Sequence, residues 1–193
     1  MICLQTLAEP RGMLTELLAE QLPLVLKWRN DPAVRQNMYS YEEISPQEHK
    51  HWFHSVQTDP GRRYFIYSCS GKPTGVVYFS NLMPFKQQAM WGFYSAPGAP
   101  RGTGLRMELE ALDFAFIDLS LQKLNCEVIA TNKKVINLHR KTGFQDEGLF
   151  RNYHFDGHRY IDVVRLGMIR SEWPQAKKVL TDRIIRTKTT DTA

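Results

Sequence analysis

A candidate phosphate-binding loop lies between a β-type segment and an amphipathic helical segment, and it consists of Pro100-Arg101-Gly102-Thr103-Gly104-Leu105. Successive backbone amides in a glycine-containing turn that leads into a helix bind anions, and glycine lets phosphates approach the backbone. The loop is neither a Walker A motif nor a dinucleotide fingerprint, because no Gly-Lys-Ser/Thr ends it and Met107 takes the place of the third glycine. The same residues also suit an ordinary strand-to-helix turn.

A second candidate for chemistry is Glu127, which lies in a segment over residues 123–130 that alternates as a β-strand does. The alternation places Glu127 on the face opposite to Leu124 and Cys126. A carboxylate that points out of a sheet can take the proton that an amine must lose before or during attack on an acyl carbon. A solvated surface glutamate also fits this strand.

The elements that must position these residues follow from hydrophobic periodicity and turn residues. Ser45, Pro46 and Glu48 form a helix start with a capping box. The order of elements predicts an α/β (α+β) fold with one central mixed sheet. The predicted helices cover residues 20–29, 33–36, 46–56, 104–119 and 134–142, and the predicted strands cover residues 64–68, 74–80, 89–94, 123–130, 149–155 and 160–169.

Length and composition restrict the class of protein. The chain has 193 residues, which predicts one domain, and its 42% hydrophobic content excludes a disordered or collagen-like chain. The net charge of +5 suits an anionic ligand such as a phosphorylated cofactor. The positive charges are too few and too scattered to indicate nucleic acid binding.

The cysteines and the apolar runs indicate a compartment. Cys3, Cys69 and Cys126 are far apart and form no Cys-x-x-Cys pair, so neither a disulfide framework nor a zinc site is predicted. We expect a cytoplasmic protein, without a signal segment or a membrane span. His49 and His51 lie about 200° apart on one helix, so they cannot bind one ion, and we expect no metal.

Two elements together resemble the GCN5-related N-acetyltransferase superfamily. The first is Arg101-Gly102-Thr103-Gly104 before a helix, and the second is the stretch from Asn132 to Gly143-Phe144. The sequence departs from the family pattern at Arg106, where a small residue is usual, and at His139, where a tyrosine is usual. The resemblance implies a mixed, mostly antiparallel sheet of about seven strands, flanked by helices, with acetyl-CoA bound where two strands splay apart.

The resemblance also implies roles for individual residues. The interval from Glu127 to His139 equals the interval from glutamate to tyrosine in the related ribosomal-protein N-acetyltransferases, which makes Glu127 the general base. His139 is then an acid for the departing thiolate, or it only forms a hydrogen bond with backbone at a helix surface. Gly92-Phe93-Tyr94 resembles the strand that stabilises the oxyanion. The implied acetyl-CoA-binding residues are Phe93, Tyr94, Arg101, Gly102, Thr103, Gly104, Leu105, Asn132, Asn137 and Arg140.

The N-terminal third is similar to the aminosugar N-acetyltransferases of pseudaminic acid biosynthesis, through Leu26-Lys27-Trp28-Arg29-Asn30-Asp31-Pro32 and the segments after it. This resemblance implies transfer of acetyl to the 4-amine of UDP-4-amino-4,6-dideoxy-N-acetyl-altrosamine, a step toward flagellin glycosylation. It implies an acceptor site of Arg29, Met38, Tyr39, His49 and Phe53. An alternative is that Arg29 only pairs with an acidic residue at its helix end.

The sequence leaves other functions and some boundaries open. A protein N-terminal acetyltransferase and a non-catalytic acyl-CoA-binding module are alternatives, the latter because of the tyrosine lost at His139. We expect one domain over residues 1–173 and a basic, polar tail over residues 174–193, either solvated or in contact with an acidic partner. The expected partners are acetyl-CoA and a UDP-aminosugar, without nucleic acid or membrane, and a homodimer is compatible with the sequence.

Overall fold

The computed structural model describes residues 12–83 and 85–191. Residues 1–11, which include Cys3, and residues 192–193 of the predicted tail lie outside the described residues. Within them, seven strands form one sheet in the order β1-β2-β3-β4-β5-β7-β6. The strands are β1 (Met13–Glu16), β2 (Arg63–Cys69), β3 (Lys72–Met83), β4 (Gln88–Ser95), β5 (Lys123–Ile129), β6 (Gln145–Phe155) and β7 (Tyr160–Ile169). The two last predicted strands, over residues 149–155 and 160–169, are present and form an antiparallel hairpin, and β1 is an additional edge strand that the periodicity did not predict.

Six α-helices accompany the sheet in the described part of the chain. The Ser45 hydroxyl accepts from the Glu48 amide at 3.2 Å and the Glu48 carboxylate accepts from the Ser45 amide at 2.8 Å, which confirms the predicted capping box. None of the helices of the described residues is long and apolar enough to cross a membrane. The helices are α1 (Leu22–Asn30), α2 (Pro32–Arg35), α3 (Pro46–Gln57), α4 (Thr103–Asp113, continued by a π-helical turn Phe114–Asp118), α5 (Lys133–Lys141) and α6 (Trp173–Asp191).

The pairing of β4 with β5 is parallel and short, whereas every other pairing in the sheet is antiparallel. The parallel pairing ends at Met90 and Asn125. Beyond that point β4 continues to Ser95 and β5 to Ile129, but the two strands no longer pair with each other. The predicted mixed, mostly antiparallel sheet with a strand splay is confirmed.

Alternation along the strands divides the core between the two faces of the sheet. The main cluster packs α4, α5 and α6 against one face, and it includes Leu124 and Cys126 of β5. A second, smaller cluster packs α1 and α3 against the other face, around Val25, Phe53 and Ile66. Glu127 lies on this second face, between strand residues that face the main cluster.

The C-terminal segment differs from the prediction, because helix α6 occupies most of the predicted tail. Ala176, Leu180 and Ile184 follow one another at four-residue spacing and are buried in the main cluster. The Lys177 ammonium forms an ion pair with the Asp113 carboxylate of α4 at 2.8 Å. The predicted boundary at residue 173 is therefore corrected. The apolar stripe is only one residue wide, so the surrounding charges hid it in the sequence.

A pair of neighbouring substitutions tests whether α6 belongs to the folded domain. Leu180 is fully buried, so Leu180→Ala should lower the free energy of unfolding by about 2–4 kcal/mol in urea titrations. Val179→Ala is the matched control, because Val179 is 39% exposed and its loss should have little effect. Equal, small effects of both substitutions would mean that α6 does not contribute to the core.

Candidate active site

The predicted phosphate loop forms the N-terminal end of α4, directly beside the splay. Gly102 adopts a left-handed conformation with φ of 81°, which glycine tolerates best. The Thr103 hydroxyl donates to the Pro100 carbonyl at 2.6 Å, so this side chain holds the turn and is not free for a ligand. The amides of Gly104 and Leu105 belong to the first helical turn and have no acceptor inside the helix. They are available to an anion.

Gly104 lines a groove between β4, α4 and α5. A Cβ atom at this position would lie 3.6 Å from both Leu138 Cδ2 and Phe93 Cε2, so the glycine keeps the groove open without leaving a void. Arg106 bends back over the loop, where its Nη2 donates to the Arg101 carbonyl at 2.9 Å. The groove and the free amides fit the pantetheine arm and pyrophosphate of CoA.

The remaining predicted cofactor residues lie in different surroundings. Asn132 caps α5, with its Oδ1 accepting from the Val135 amide at 3.2 Å. The guanidinium of Arg140 forms two hydrogen bonds with Asp146, at 2.9 and 2.6 Å. The Tyr94 side chain packs against the second cluster and so lies on the face opposite to Phe93. Asn137 is exposed on α5.

Glu127 lies on the part of β5 that no longer pairs with β4, and both of its carboxylate oxygens accept hydrogen bonds. Arg165 Nη1 donates to Oε1 at 2.8 Å, and the Tyr39 hydroxyl donates to Oε2 at 2.8 Å. Arg165 is the residue directly opposite Glu127 in the β5–β7 register, so the sheet itself holds this pair together. The carboxylate is therefore fixed at the splay and is balanced by one cation.

The segment after α2 that carries Tyr39 is fastened to the end of α1. The Arg29 guanidinium donates to the Ser40 carbonyl at 2.8 Å and to the Ser40 hydroxyl at 2.7 Å. The Asn30 side chain both donates to the Ile44 carbonyl at 2.8 Å and accepts from the Ile44 amide at 2.9 Å. We call residues 37–45 the acceptor loop. Arg29 thus binds no carboxylate in the described structure, and it positions the acceptor loop.

Tyrosine side chains surround Arg29 on this face of the sheet. Tyr64 stacks on Tyr78 with ring centroids 5.2 Å apart, and Tyr78 interacts electrostatically with both Arg29 and Glu127. Burial raises the pKa of the Tyr78 and Tyr94 hydroxyls above the ordinary value, so they stay protonated. Burial, with a smaller contribution from Arg29, lowers the pKa of His49, so its ring is neutral at pH 7.

Two of the predicted acceptor residues are packing residues. His49 is 4% exposed and stacks on Trp52 with ring centroids 4.9 Å apart. Phe53 is buried in the second cluster, because it follows the apolar stripe of α3. His49 nevertheless lines a cavity between α1 and α3, so the placement of the two residues at the acceptor site stays a prediction. Met38 is half-buried in the acceptor loop, beside Tyr39.

His139 differs most from the prediction. It is 2% exposed, and its Nδ1 lies 2.8 Å from Glu108 Oε1, which also accepts from the Thr142 hydroxyl at 2.7 Å. Its ring packs against Trp91, on the face of the sheet opposite to Glu127. A proton donor for a thiolate must reach the sulfur, so this enclosed ring does not fit the predicted acid role.

The protonation of His139 follows from its partners. Burial alone would lower the pKa of the imidazole, but the neighbouring Cys126 and Glu108 groups outweigh burial and raise the pKa to about 10. The ring is therefore a buried cation paired with Glu108, and this ion pair joins α4 to α5.

Sequence reasoning missed two residues of these networks. Glu108 follows Leu105 by three residues within the apolar stripe of α4, and a charge in such a stripe indicates a buried pair. Arg165 lies at an alternating position of a predicted strand, but nothing in the sequence indicates that this strand pairs with the strand of Glu127. Only the register supplies that information.

Comparison with known proteins decides the family. A family model described as an acetyltransferase (GNAT) domain matches residues 11–145, more than half of the chain. The chain belongs to this family. The GNAT groove lies where two strands diverge, and the splay between β4 and β5 is in the matched part of this chain. The protein is an acetyl-CoA-dependent N-acetyltransferase.

The individual relatives are acetyltransferases with different names. The chain is 28% identical to acetyltransferase PseH from Campylobacter jejuni strain 81-176, over 67% of this chain and 80% of that protein. It is 27% identical to spermidine N(1)-acetyltransferase from Escherichia coli K12, over 60% and 62% of the two chains. Spermidine N-acetyltransferase from Vibrio cholerae, solved with CoA and spermine, shares the fold with a TM-score of 0.80 at 23% identity, covering 84% of this chain and 98% of that one.

A substitution at Gly104 tests the cofactor groove. Gly104→Val should weaken acetyl-CoA binding by about 100-fold or more, because the added methyl groups fill the space beside the first-turn amides. Calorimetry measures the affinity, and thermal unfolding should show a folded variant because the nearest side chains stand at 3.6 Å. Gly104→Ala is the graded control, with a smaller loss. Unchanged affinity in Gly104→Val would remove this loop from the site.

The Glu108–His139 pair predicts a specific pH dependence of stability. A group whose pKa rises on folding stabilises the native state fully below its unfolded pKa, about 6.5, and loses that effect as the pH rises through its folded pKa. For His139 the loss therefore occurs as the pH approaches about 10. Urea unfolding between pH 7 and pH 10 should show wild-type protein losing a few kcal/mol relative to Glu108→Gln/His139→Gln. Parallel curves for the two proteins would contradict the ion pair.

Proposed function

We propose that this enzyme transfers acetyl from acetyl-CoA to the 4-amino group of a UDP-aminosugar, UDP-4-amino-4,6-dideoxy-N-acetyl-altrosamine, in pseudaminic acid biosynthesis. The observation that carries the proposal is the charge around Glu127. Arg165 already balances the carboxylate, and Arg29 adds a cation on the same face that no carboxylate of the described residues pairs with. A site of this charge favours an anionic acceptor.

Arg29 also has an unused donor. Its Nη2 binds Ser40, whereas its Nη1 is buried and has no hydrogen-bond partner among the described residues. A buried guanidinium N–H without an acceptor is costly, and a phosphate oxygen is a strong acceptor for it. Burial lowers the pKa of Arg29, yet the group remains protonated at neutral pH because guanidinium is so basic. A diphosphate would satisfy this donor once the side chains that cover Nη1 move aside.

Aromatic side chains near Arg29 suit a nucleobase. Trp52 packs edge-on to Tyr64 with ring centroids 4.8 Å apart, and Tyr64 stacks on Tyr78. A uracil ring gains affinity by stacking on such half-buried rings. These residues lie outside the groove at Gly104, so acceptor and cofactor approach the splay from opposite faces of the sheet.

The proposed reaction uses these groups as follows. The loop amides hold the cofactor phosphates at one face, and acetyl-CoA supplies the thioester carbon that the amine attacks. Because β4 has no β5 partner beyond Met90, backbone N–H groups of Gly92-Phe93-Tyr94 on that edge are able to donate to an acyl oxygen in the gap. Glu127, on the other side of the gap, accepts the proton that leaves the amine.

The relatives named for spermidine make a polyamine the second candidate acceptor. A polyamine carries several positive charges and needs carboxylates that are not already paired. The carboxylate at the splay is paired with Arg165, and Arg29 would repel a second ammonium group. At Glu127 itself, the charge therefore favours the nucleotide sugar. A protein N-terminal amine, a third acceptor class, would need neither a phosphate partner nor a uracil surface.

Titration with UDP tests the acceptor class. UDP alone should bind with a micromolar to millimolar Kd, compete with the acceptor but not with acetyl-CoA, and lose its affinity in Arg29→Ala. Acetyl-CoA turnover should occur with the UDP-aminosugar and not with spermidine or peptides. Failure of UDP to bind, or binding that only displaces acetyl-CoA, would overturn the nucleotide-sugar assignment.

Ser40→Ala is the matched control for Arg29→Ala. It removes the hydroxyl that Arg29 binds at 2.7 Å but leaves the guanidinium in place. If Arg29 binds the diphosphate, Ser40→Ala should retain UDP affinity within about threefold, because Arg29 keeps its hydrogen bond to the Ser40 carbonyl. Equal losses in both variants would show that Arg29 acts only by holding the acceptor loop.

A further inference from the structure

The Tyr39 hydroxyl lies between the Glu127 carboxylate and the solvent. The Glu127 side chain is 20% exposed, and Tyr39 is 48% exposed and covers Oε2 with a 2.8 Å hydrogen bond. An acceptor that enters from the second face of the sheet therefore meets the phenol before it meets the carboxylate.

Arg165 makes the two oxygens of the Glu127 carboxylate unequal. Its Nη1 donates to Oε1 at 2.8 Å, and the cross-strand register keeps the two side chains opposite each other. A guanidinium holds its proton permanently, so Oε1 cannot become the basic oxygen without losing this bond. Oε2, which binds no cation, is the more basic oxygen of the carboxylate, and Tyr39 already donates to that atom.

We propose that Tyr39 is a catalytic residue that relays the proton of the acceptor amine to Glu127. The phenolic O–H bond breaks as its proton passes to Oε2, while the phenolic oxygen takes a proton from the amine nitrogen. The electron pair freed on nitrogen forms the new N–C bond, the C–S bond of the thioester breaks, and the CoA thiolate leaves with the electron pair of that bond. The relay rests on the proposed function only for the choice of amine, since any amine at the splay would use it.

Two features of the acceptor loop suit a relay. Hydrogen bonds from Arg29 to Ser40 and between Asn30 and Ile44 fix the loop at two points after Tyr39, so the phenol is held in place before an acceptor arrives. Burial and Glu127 raise the pKa of the Tyr39 hydroxyl far above its ordinary value. Because a free phenolate is therefore disfavoured, the two proton transfers occur together.

A double-mutant cycle tests the relay, with the rate of acetyl transfer measured in single turnovers on an amine that the wild-type enzyme acetylates. Tyr39→Phe should lower this rate by about 10- to 100-fold, and Glu127→Gln by about 10²- to 10⁴-fold, with acetyl-CoA affinity unchanged. The double variant should be no slower than Glu127→Gln alone, because both residues serve one proton path. In H2O–D2O mixtures the wild-type rate should show two protons in motion, and the Tyr39→Phe rate should show one.

Tyr153→Phe is the matched control, because it removes the same hydroxyl oxygen from a ring that packs edge-on to Tyr39 with centroids 6.5 Å apart. The rate of acetyl transfer should not change in this variant. A Tyr39→Phe enzyme with an unchanged rate and a raised KM would overturn the relay and leave Tyr39 as a binding residue, as would multiplicative losses in the double variant. Failure of the UDP-aminosugar as substrate is a separate result. It would overturn the proposed function, and the cycle would then be run with spermidine or a peptide amine.

Discussion

The short parallel pairing of β4 with β5 is the constraint on which the site depends. Hydrogen bonding between the two strands stops at Met90 and Asn125, and the twist then carries the strands apart. Through the resulting gap, the groove on the α4–α5 face opens toward the acceptor loop on the α1–α3 face. A sheet fully paired at this point would close the gap between β4 and β5 and separate the two faces.

The end of α1 positions residues of the site that are far from α1 in the sequence. Arg29 and Asn30 end α1, and each fastens a different point of the acceptor loop. The loop in turn brings Tyr39 to Glu127, a residue 88 positions later in the chain. Since the carboxylate is also fixed by Arg165 from the neighbouring strand, the order of the site comes from three separate elements.

The sequence predicted features that depend on neighbouring residues and missed those that depend on distant pairing. The capping box at Ser45, the loop at Gly102 and the face of Glu127 follow from local spacing, and the structure contains each of them. The enclosed position of His139 was not predicted, because its partner Glu108 lies on another helix, 31 positions away. The burial of α6 was missed because its apolar stripe depends on a surface supplied by α4.

The enclosed pair of Glu108 and His139 restricts how this branch of the family can change. Introducing the tyrosine usual at position 139 would leave the Glu108 carboxylate charged and unpaired in the core, while neutralising Glu108 alone would leave a buried imidazolium. Each single substitution therefore lowers the stability of the fold, whereas the double substitution avoids that loss. The two positions should therefore be inherited as a unit, and an ancestor or an engineered variant that regains the tyrosine should have exchanged its glutamate at the same time.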